Sequence, residues 1–253
     1  MNSNTMITTQ QVGAVFTVTM NRPEKKNALN LAMYQTLTQA LQHAKQDPNI
    51  HVVVLRGVDG AFSAGNDLAD FLSAGPLDAE HPTVQFLHAL HQFTKPLIAA
   101  VDGLAVGIGT TALLHCDLVY ATDRCHFAMP FTKLGLCPEA ASSLLLPKLM
   151  GYQKAAQYLL LGESFDTATA LQCGLVNQRC DVTDLYQIVA EKAAYLAALP
   201  HQAVLESKAL LKRSTSLLVN EVMHHELSVF EQLLKSPACQ QALQSFYQQK
   251  PKA

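Results

Sequence analysis

The hydrophobic residues of the first half of the chain fall into short runs that are typical of strands. Residues 51–57 (HVVVLRG), 95–103 (KPLIAAVDG) and 118–122 (LVYAT) are nearly continuous apolar runs, which favours buried strands. Residues 12–20 (VGAVFTVTM) instead alternate between apolar and polar positions, which is typical of a strand with one exposed face. The pattern therefore predicts four strands, three of them buried.

Helices are predicted between and after these strands. The first follows Asn30, a suitable N-cap, carries apolar residues at four-residue spacing and ends before Pro48. Residues 60–72 (GAFSAGNDLADFL) predict a loop that enters a short helix, and 110–114 predict a second short helix. No pattern predicts the structure of the rest of 68–95, which we expect to shape a ligand pocket.

The second half of the chain is predicted to be mostly helical. The helices are expected over 152–160, 167–172, 184–198, 202–213 and 218–248. The composition changes near Pro200 and His201. We therefore predict a core with the ligand site in residues 1–200 and a helical C-terminal region in residues 201–253.

The composition limits the classes of partner. The chain has 253 residues, of which 49% are hydrophobic and 15% charged, enough apolar residues for a large core. The formal net charge is -2, and no basic stripe is interleaved with aromatic residues, so no nucleic-acid partner is expected. A negatively charged ligand must therefore be bound by a local site.

We expect the protein to be neither secreted nor embedded in a membrane, and we expect no metal site. Six cysteines without a C-x-x-C pair, behind a polar start (MNSNTMITTQ), predict reduced thiols in the cytoplasm. Residues 97–114 are nearly long enough to cross a bilayer, but Asp102 within them would cost about 2.5 to 3.5 kcal/mol there. His115 and His126 have no partner at metal-ligand spacing.

The glycine-rich stretch 103–112 (GLAVGIGTTA) is compatible with two kinds of site. Gly107-x-Gly109-x-x-Ala112 fits a loose dinucleotide-binding fingerprint, with Asp123 placed to bind a ribose. The helix that follows has only about eight residues before the next strand, fewer than such a crossover normally needs. We favour the other interpretation, in which glycines let backbone N–H groups approach a ligand.

Two loops of this kind enter helices. The N–H of Ile108 opens the helix after Gly107, where the helix dipole favours negative charge. The loop SAGND at 63–67 has the same design, with Gly65 for conformational freedom and Ala64 for an uncluttered N–H. Two N–H groups directed at one carbonyl oxygen form an oxyanion hole, in which each donor contributes about 10² to 10³ in rate.

Three longer stretches resemble one enzyme superfamily. NRPEKKNAL, AFSAGNDL and KPLIAAVDGLAVGIGTTALLHCDLVYATDRCHFAMPFTKLGLCPEAASS are similar, in this order, to the crotonase or enoyl-CoA hydratase/isomerase superfamily. The resemblance extends over nearly the whole chain. It implies an α/β fold with a crotonase-type β-β-α spiral core, a C-terminal helical trimerisation region, and a homotrimer or dimer of trimers. It also implies an acyl-CoA thioester substrate, with CoA as part of the substrate and no separate cofactor.

The resemblance assigns roles to particular residues. The two oxyanion-hole donors are expected to be the N–H groups of Ala64 and Ile108. The residues expected to bind substrate or CoA are Lys25, Lys26, Ala28, Ser63, Gly65, Asn66, Asp67, Leu68, Pro138 and Lys250. Taken without the resemblance, Lys25 and Lys26 would be solvated turn lysines, and Asp67 would be a helix cap.

Two positions depart from the hydratase pattern. Where hydratases carry two glutamates, this chain has Thr111 and Phe131, neither of which transfers a proton at neutral pH. The chain does have Glu139, in the stretch LGLCPEAASS. This glutamate is at the position of the catalytic acid in the peroxisomal-type Δ3,Δ2-enoyl-CoA isomerases. The stretches GNDL and AVGI also resemble those isomerases. Taken alone, Glu139 would be a helix-start carboxylate stabilised by the helix dipole.

The predicted reaction is therefore the shift of a double bond. A single carboxyl removes a proton from carbon 2 of a 3-enoyl thioester and returns it to carbon 4, so a pKa raised by an apolar pocket helps. Cys137 is expected to line that pocket. The alternatives are another crotonase-type reaction (hydratase, thioesterase or dehalogenase) and a non-catalytic acyl-CoA binding protein.

Overall fold

The computed structural model describes residues 5–73 and 75–248 and is built from two sheets. The strands of the first sheet, in spatial order, are β1 (Ile7–Val12), β2 (Val15–Met20), β3 (Val52–Arg56), β5 (Leu97–Val101), β7 (Leu118–Thr122) and β10 (Gln178–Cys180). Those of the second sheet are β4 (Ala61–Ser63), β6 (Leu104–Val106), β8 (His126–Ala128) and β9 (Ser164–Asp166). The α/β class is as predicted.

Helices surround the sheets and make up most of the second half of the chain. They are α1 (Leu31–Gln46), α2 (Leu68–Ser73), α3 (Pro82–His91), α4 (Ile108–Thr111), α5 (Ser142–Met150), α6 (Tyr152–Leu160), α7 (Thr167–Gln172), α8 (Leu185–Ala198), α9 (His201–Arg213), α10 (Ser216–Leu234) and α11 (Pro237–Gln248). Short 3-10 turns occupy Pro23–Lys25, Ala112–His115 and Thr132–Leu134. None of the helices described has both the length and the apolar character needed to cross a membrane.

The first sheet begins with a hairpin rather than with the single strand predicted over 12–20. β1 and β2 are antiparallel, with Ile7 opposite Met20, and the turn between them contains Gly13 at a φ of +56°. The sequence does not predict β1, because every residue of this strand after Ile7 is exposed. The remaining strands from β2 to β10 are parallel, and β3, β5 and β7 are buried as predicted.

Successive residues of the central strands face two separate apolar layers. Val52 and Val54 pack towards α8, whereas Val53 and Leu55 belong to the larger core that α1 and α3 cover. The predicted cap of α1 is present, since Asn30 accepts a hydrogen bond from the Met33 N–H at 2.9 Å. The sheet is therefore covered on both faces, as a parallel sheet requires.

The second sheet brings two loops to one edge. β4, β6 and β8 run parallel, with Ala61 opposite Leu104 and Leu104 opposite His126. Parallel strands end on the same side of a sheet, so the loop 64–67 after β4 lies beside the turn at Gly107 after β6. Both connections lead into the short helices predicted for them, α2 and α4.

The C-terminal helices contradict one prediction. The helix expected over 218–248 is two helices, since α10 ends at Leu234 and α11 begins at Pro237. Proline has no N–H to donate within a helix interior but is well tolerated in a first turn, so a new helix begins there. α10 packs against α3 and α5, and α11 packs against α10, so both are docked on the core of their own chain.

Candidate active site

A cavity of about 760 Å³ lies where the loops of the second sheet meet the C-terminal helices. Its wall consists of Glu24, Lys25, Lys26 and Ala28, the two loop segments 64–68 and 106–108, five residues between Pro130 and Leu136, and Phe230, Leu234, Ala242, Leu243 and Ser245 of α10 and α11. This volume is within the range of small-molecule sites. The predicted domain division puts the ligand site in residues 1–200 alone. The cavity differs from this prediction, because α10 and α11 form part of its wall.

Most of the residues predicted to bind substrate line this cavity. These are Lys25, Lys26, Ala28, Gly65, Asn66, Asp67 and Leu68. Ser63 and Pro138 are not in the wall, and Lys250 lies outside the described residues. Ser63 is buried and supports the loop instead, since its Oγ donates to the Asn27 carbonyl at 2.9 Å and accepts from the Gly65 N–H at 3.1 Å.

Glycines allow the two loops to touch, backbone against backbone. Gly65 has a φ of +91°, and a Cβ on it would lie 2.9 Å from the Val106 carbonyl oxygen. A Cβ on Gly109 would lie 2.7 Å from the Ser63 carbonyl oxygen. No side chain fits at such distances, so the sequence needs glycine at both positions.

The structure contradicts the predicted role of the Ala64 N–H. This group donates to the Lys26 carbonyl oxygen at 2.9 Å and is not available to a ligand. Two residues later, the Asn66 N–H has no acceptor among the described residues. The backbone groups on either side of it are both bound to Leu29: the Gly65 carbonyl accepts from the Leu29 N–H, and the Asp67 N–H donates to the Leu29 carbonyl. The free N–H of this loop is therefore that of Asn66.

The N–H of Ile108 is where the sequence predicts it. Ile108 is the first residue of α4, and Gly107 before it has a φ of +54° and a ψ of -121°. The first N–H groups of a helix have no partner inside the helix, and that of Ile108 has no acceptor in the described part of the chain. Asn66 and Ile108, each with an unpaired N–H, thus both line one cavity.

Glu139 is a buried carboxyl beside α4. It is 5% exposed, and its Oε1 accepts a hydrogen bond from the Thr111 hydroxyl at 2.5 Å. Burial raises the pKa of Glu139 to about 8, the Thr111 hydrogen bond opposes this, and the charge of Glu226 adds to it. Glu139 is not among the residues that line the cavity, although Phe131 and Leu136 of the same segment are.

A buried tyrosine connects the first loop to the surroundings of Glu139. The Tyr34 hydroxyl donates a short hydrogen bond to the Asn66 side-chain oxygen. Burial holds the pKa of Tyr34 well above its usual value, and the charge of Glu139 contributes to this. Tyr34 therefore remains protonated and orients the side chain of Asn66.

An ion pair joins the first loop to the turn before α1. The Arg22 guanidinium donates from Nη1 to Asp67 Oδ2 at 2.9 Å and to the Ala28 carbonyl oxygen at 2.9 Å. Asp67 thus holds its loop against the turn that carries Lys25 and Lys26. This contact brings the lysines to the cavity.

Cys137 does not line the cavity, contrary to the prediction. Its thiol contacts the Glu226 carbonyl oxygen at 3.7 Å, and burial raises its pKa to about 11. A thiol with such a pKa is protonated at neutral pH and is a poor nucleophile.

Sequence reasoning misses several residues of the site, among them Tyr34, Lys133, Phe230 and Leu234. Phe230 and Leu234 are four residues apart, so the helical spacing indicates that they share a face. No local signal shows that this face covers a cavity formed more than 100 positions earlier. Tyr34 and Lys133 carry no motif.

The comparison with known families agrees with this geometry. A family model described as enoyl-CoA hydratase/isomerase matches residues 10–253. The chain belongs to the enoyl-CoA hydratase/isomerase family. The cavity is therefore the candidate active site of a member of this family.

Relatives within this family carry different names. Enoyl-CoA delta isomerase 2 of Rattus norvegicus is 36% identical over 95% of this chain and 63% of its own length. 4-Chlorobenzoyl coenzyme A dehalogenase-2 of Arthrobacter sp is 31% identical over 89% of this chain and 84% of its own. The structure of Pseudomonas aeruginosa OdaA has a TM-score of 0.93 and 40% identity, covering 96% of this chain and 99% of that one. The chain spans less than two thirds of the length of the rat isomerase, and one family includes several reactions.

Proposed function

We propose that the protein moves the double bond of a 3-enoyl-CoA to the 2-trans position, with Glu139 transferring the proton. The observation that carries this proposal is the hydrogen bond from Thr111 to Glu139. The family resemblance places the first glutamate of the hydratases at Thr111. Here a hydroxyl occupies that position and donates to a single buried carboxyl.

The positions of these groups on α4 support the proposal. Ile108 begins the helix and Thr111 ends it, three residues and about 4.5 Å further along the axis. An N–H that can bind an oxygen and a carboxyl that can carry a proton are therefore held by the same short element. The Asn66 N–H provides the second donor from the neighbouring loop.

The reaction needs no group beyond these. The Glu139 carboxylate takes a proton from carbon 2, and the electrons of that C–H bond form a dienolate whose charge rests largely on the thioester oxygen. The N–H groups of Asn66 and Ile108 donate to that oxygen. The carboxylic acid then gives the proton to carbon 4, which leaves the double bond between carbons 2 and 3.

The pKa of Glu139 gives this proposal a pH dependence. Removal of the proton requires the carboxylate, and a pKa of about 8 leaves only a minor fraction ionised at pH 7. We expect kcat/KM to rise with pH and to level off above pH 8. The same raised pKa makes the acid a better match to proton transfer near neutrality.

The test is Glu139→Gln, assayed with 3-hexenoyl-CoA for isomerisation and with crotonyl-CoA for hydration. We expect isomerisation to fall by about 10³ to 10⁴, because one group performs both transfers. Deuterium exchange at carbon 2 should be lost with it, and thioester affinity should change little. Glu163→Gln, at a residue whose exposed carboxyl accepts a hydrogen bond from Gln157, is the matched control.

The alternatives correspond to other outcomes of these assays. Isomerisation by the Gln variant within a few-fold of the parent would show that Glu139 is only a buried helix-start carboxyl. Hydration of crotonyl-CoA in preference to isomerisation would assign the protein to the hydratases. Binding without turnover of either compound would identify an acyl-CoA binding protein.

We also propose that the protein is a homotrimer or a dimer of trimers in the cytoplasm. Four leucines of α9 and α10 are exposed in the single chain, namely Leu210, Leu211, Leu217 and Leu218. Apolar patches of this kind mark interfaces, and the six cysteines, which are all free, suit a reducing compartment. Sedimentation as a monomer at micromolar concentration would contradict the assembly.

A further inference from the structure

We infer that Glu226 of α10 is a positioning residue for Glu139, holding the segment 139–143 from the C-terminal region. The inference deepens the proposed function and rests on it, because it assigns to Glu139 the role of proton carrier. It concerns a side chain that no motif in the sequence indicates.

The carboxyl of Glu226 is buried and fully engaged with this segment. The Ala141 N–H donates to Oε2 at 2.6 Å, the Ser143 N–H to Oε1 at 3.0 Å, and the Ser143 hydroxyl to Oε1 at 2.5 Å. Glu226 itself is 6% exposed. Burial raises the pKa of Glu226, and the three donors oppose this because they favour the ionised carboxylate.

The backbone that Glu226 holds is in an unfavourable conformation. Ala140 and Ala141, which directly follow Glu139, have φ values of +59° and +55°, in the left-handed region that residues with a Cβ avoid. Such a conformation persists where the surrounding structure holds it and is often found at functional sites. Without a restraint at Ala141, the segment would relax and Glu139 would move.

The same segment is held from its other side. Burial lowers the pKa of His115 to about 4, so its ring is neutral, and its Nε2 lies 2.8 Å from the Ala140 carbonyl oxygen. The Ser142 hydroxyl donates to the Glu139 carbonyl oxygen at 2.6 Å. Glu226 is the only one of these restraints that comes from the C-terminal helices.

Glu226 also acts on Glu139 through its charge. The groups that face Glu139 are Thr111 from α4, Tyr34 from α1, Cys137 from its own segment and Glu226 from α10. Tyr34 and Cys137 are protonated at neutral pH, since burial raises both pKa values. Negative charge on Glu226 raises the pKa of Glu139, so the ionised form of Glu226 favours the protonated form of Glu139. His225 in turn faces Glu226 and favours its ionised form.

A purely structural role makes a different prediction. Glu226 caps the start of α5, where Ala141 provides no side-chain cap, and a cap alone would affect only stability. A positioning role affects kcat, and the charge affects the pH at which Glu139 ionises. These readouts separate the two roles.

The experiment is Glu226→Gln, measured by the pH profile of 3-hexenoyl-CoA isomerisation. We expect kcat to fall by about 10- to 100-fold, as for a misplaced reacting group, with KM little changed. The acid limb of the profile should move to lower pH by about one unit, because the neighbouring charge is gone. Glu231→Gln, on the same helix in a surface ion pair with Lys235, is the control and should change neither.

A second measurement needs no turnover. A ¹³C NMR titration of the Glu139 side-chain carboxyl, assigned by its absence in Glu139→Gln, should show a lower midpoint in the folded Glu226→Gln protein. If Glu226→Gln does not fold, Ser143→Ala removes one of the three hydrogen bonds and should lower kcat by a smaller factor.

An unchanged pH profile and an unchanged Glu139 midpoint in a folded Glu226 variant would overturn the inference. The failure of the proposed function is a separate result. If Glu139→Gln retains isomerase activity, the proposed role of Glu139 as proton carrier is wrong, whereas the NMR midpoint still reports whether Glu226 controls the proton affinity of Glu139.

Discussion

Backbone groups form one side of the cavity, and side chains form the other. On one side, the loops after β4 and β6 present backbone N–H groups of Asn66 and Ile108, next to glycines that let the loops touch. On the other side, Phe230 and Leu234 of α10 face the cavity, and Glu226 of the same helix supports Glu139. The first side depends on the absence of side chains, and the second depends on their identity.

This difference indicates how each side can vary within a family. An N–H donor is independent of the side chain that its residue carries, so the bulky Ile108 can occupy a donor position without loss of the donor. A side-chain wall can be changed residue by residue, which alters the substrate and the proton transfer. Relatives of this chain accordingly carry names as different as isomerase and dehalogenase.

The largest effect is expected for Glu139, on the side of the cavity that side chains form. Glu139→Gln should change how the free energy of unfolding depends on pH. The folded pKa of about 8 lies above the ordinary value of 4.5, so the folded state binds the proton more tightly than the unfolded state. Wild-type stability therefore falls as pH rises from 4.5 to 8, by up to about 5 kcal/mol at about 1.4 kcal/mol per pKa unit. The glutamine variant lacks this loss.

Urea unfolding at pH 5.5 and pH 8.5 measures the difference between the two proteins. The variant should gain stability relative to wild type at the higher pH, and Glu163→Gln should show no such gain. Equal differences at both pH values would mean that Glu139 ionises normally, and its burial would then have no consequence for the chemistry.

On the backbone side, Gly65→Ala should lower kcat by about 10² to 10³, the contribution of one oxyanion donor. Alanine at a φ of +91° is strained, and its Cβ would lie 2.9 Å from the Val106 carbonyl oxygen, so the Asn66 N–H must shift. Gly13→Ala introduces an alanine at a φ of +56° with no atom within 4 Å and is the control for strain alone. Steady-state kinetics of both variants decides the comparison, since an equal loss in both would remove Asn66 from the mechanism.

A smaller effect is expected at the part of the cavity wall that α10 forms. Leu234→Phe adds volume in the cavity wall, so kcat/KM should fall by about 10-fold or more for long acyl chains and remain close to normal for short ones. Leu233→Phe is the matched control, because Leu233 packs against the core but is not in the cavity wall. A series of 3-enoyl-CoA chain lengths measures this, and parallel losses at every length would place the acyl chain elsewhere.

The sequence predicts the backbone side well, because glycine patterns and apolar strands are local signals. These signals predict the strands around 51–57, 95–103 and 118–122 and the N–H of Ile108 at the start of a helix. The assignment of Ala64 is wrong, because its N–H is bound to Lys26 and the unpaired N–H of the loop is that of Asn66. The register of this loop depends on Leu29 and Lys26, which contact it from a distant turn.

The side-chain side is much less predictable. Glu139 is identified only through the family resemblance, because a carboxyl before small residues and a helix is an ordinary feature. Glu226 and Phe230 lie in an amphipathic helix whose pattern shows which residues share a face but not what that face covers. Their function depends on docking between segments about 85 residues apart in the chain.

The smallest effect is expected for Cys137→Ala, which tests whether the side-chain side holds a nucleophile. Cys137 lies two residues before Glu139, and a thioesterase that works through a covalent acyl-enzyme would need a nucleophile such as this thiol. Its thiol is protonated at neutral pH, because burial and the charge of Glu226 raise its pKa to about 11. We therefore expect isomerisation to stay within a few-fold of wild type, with a stability change below about 2 kcal/mol for the loss of a half-buried sulfur. Loss of activity together with loss of a covalent acyl-enzyme, followed by mass spectrometry, would contradict this. In that case Glu139 would serve as the base of a nucleophilic cysteine, and the two sides of the cavity would cooperate in acyl transfer rather than in the movement of a proton.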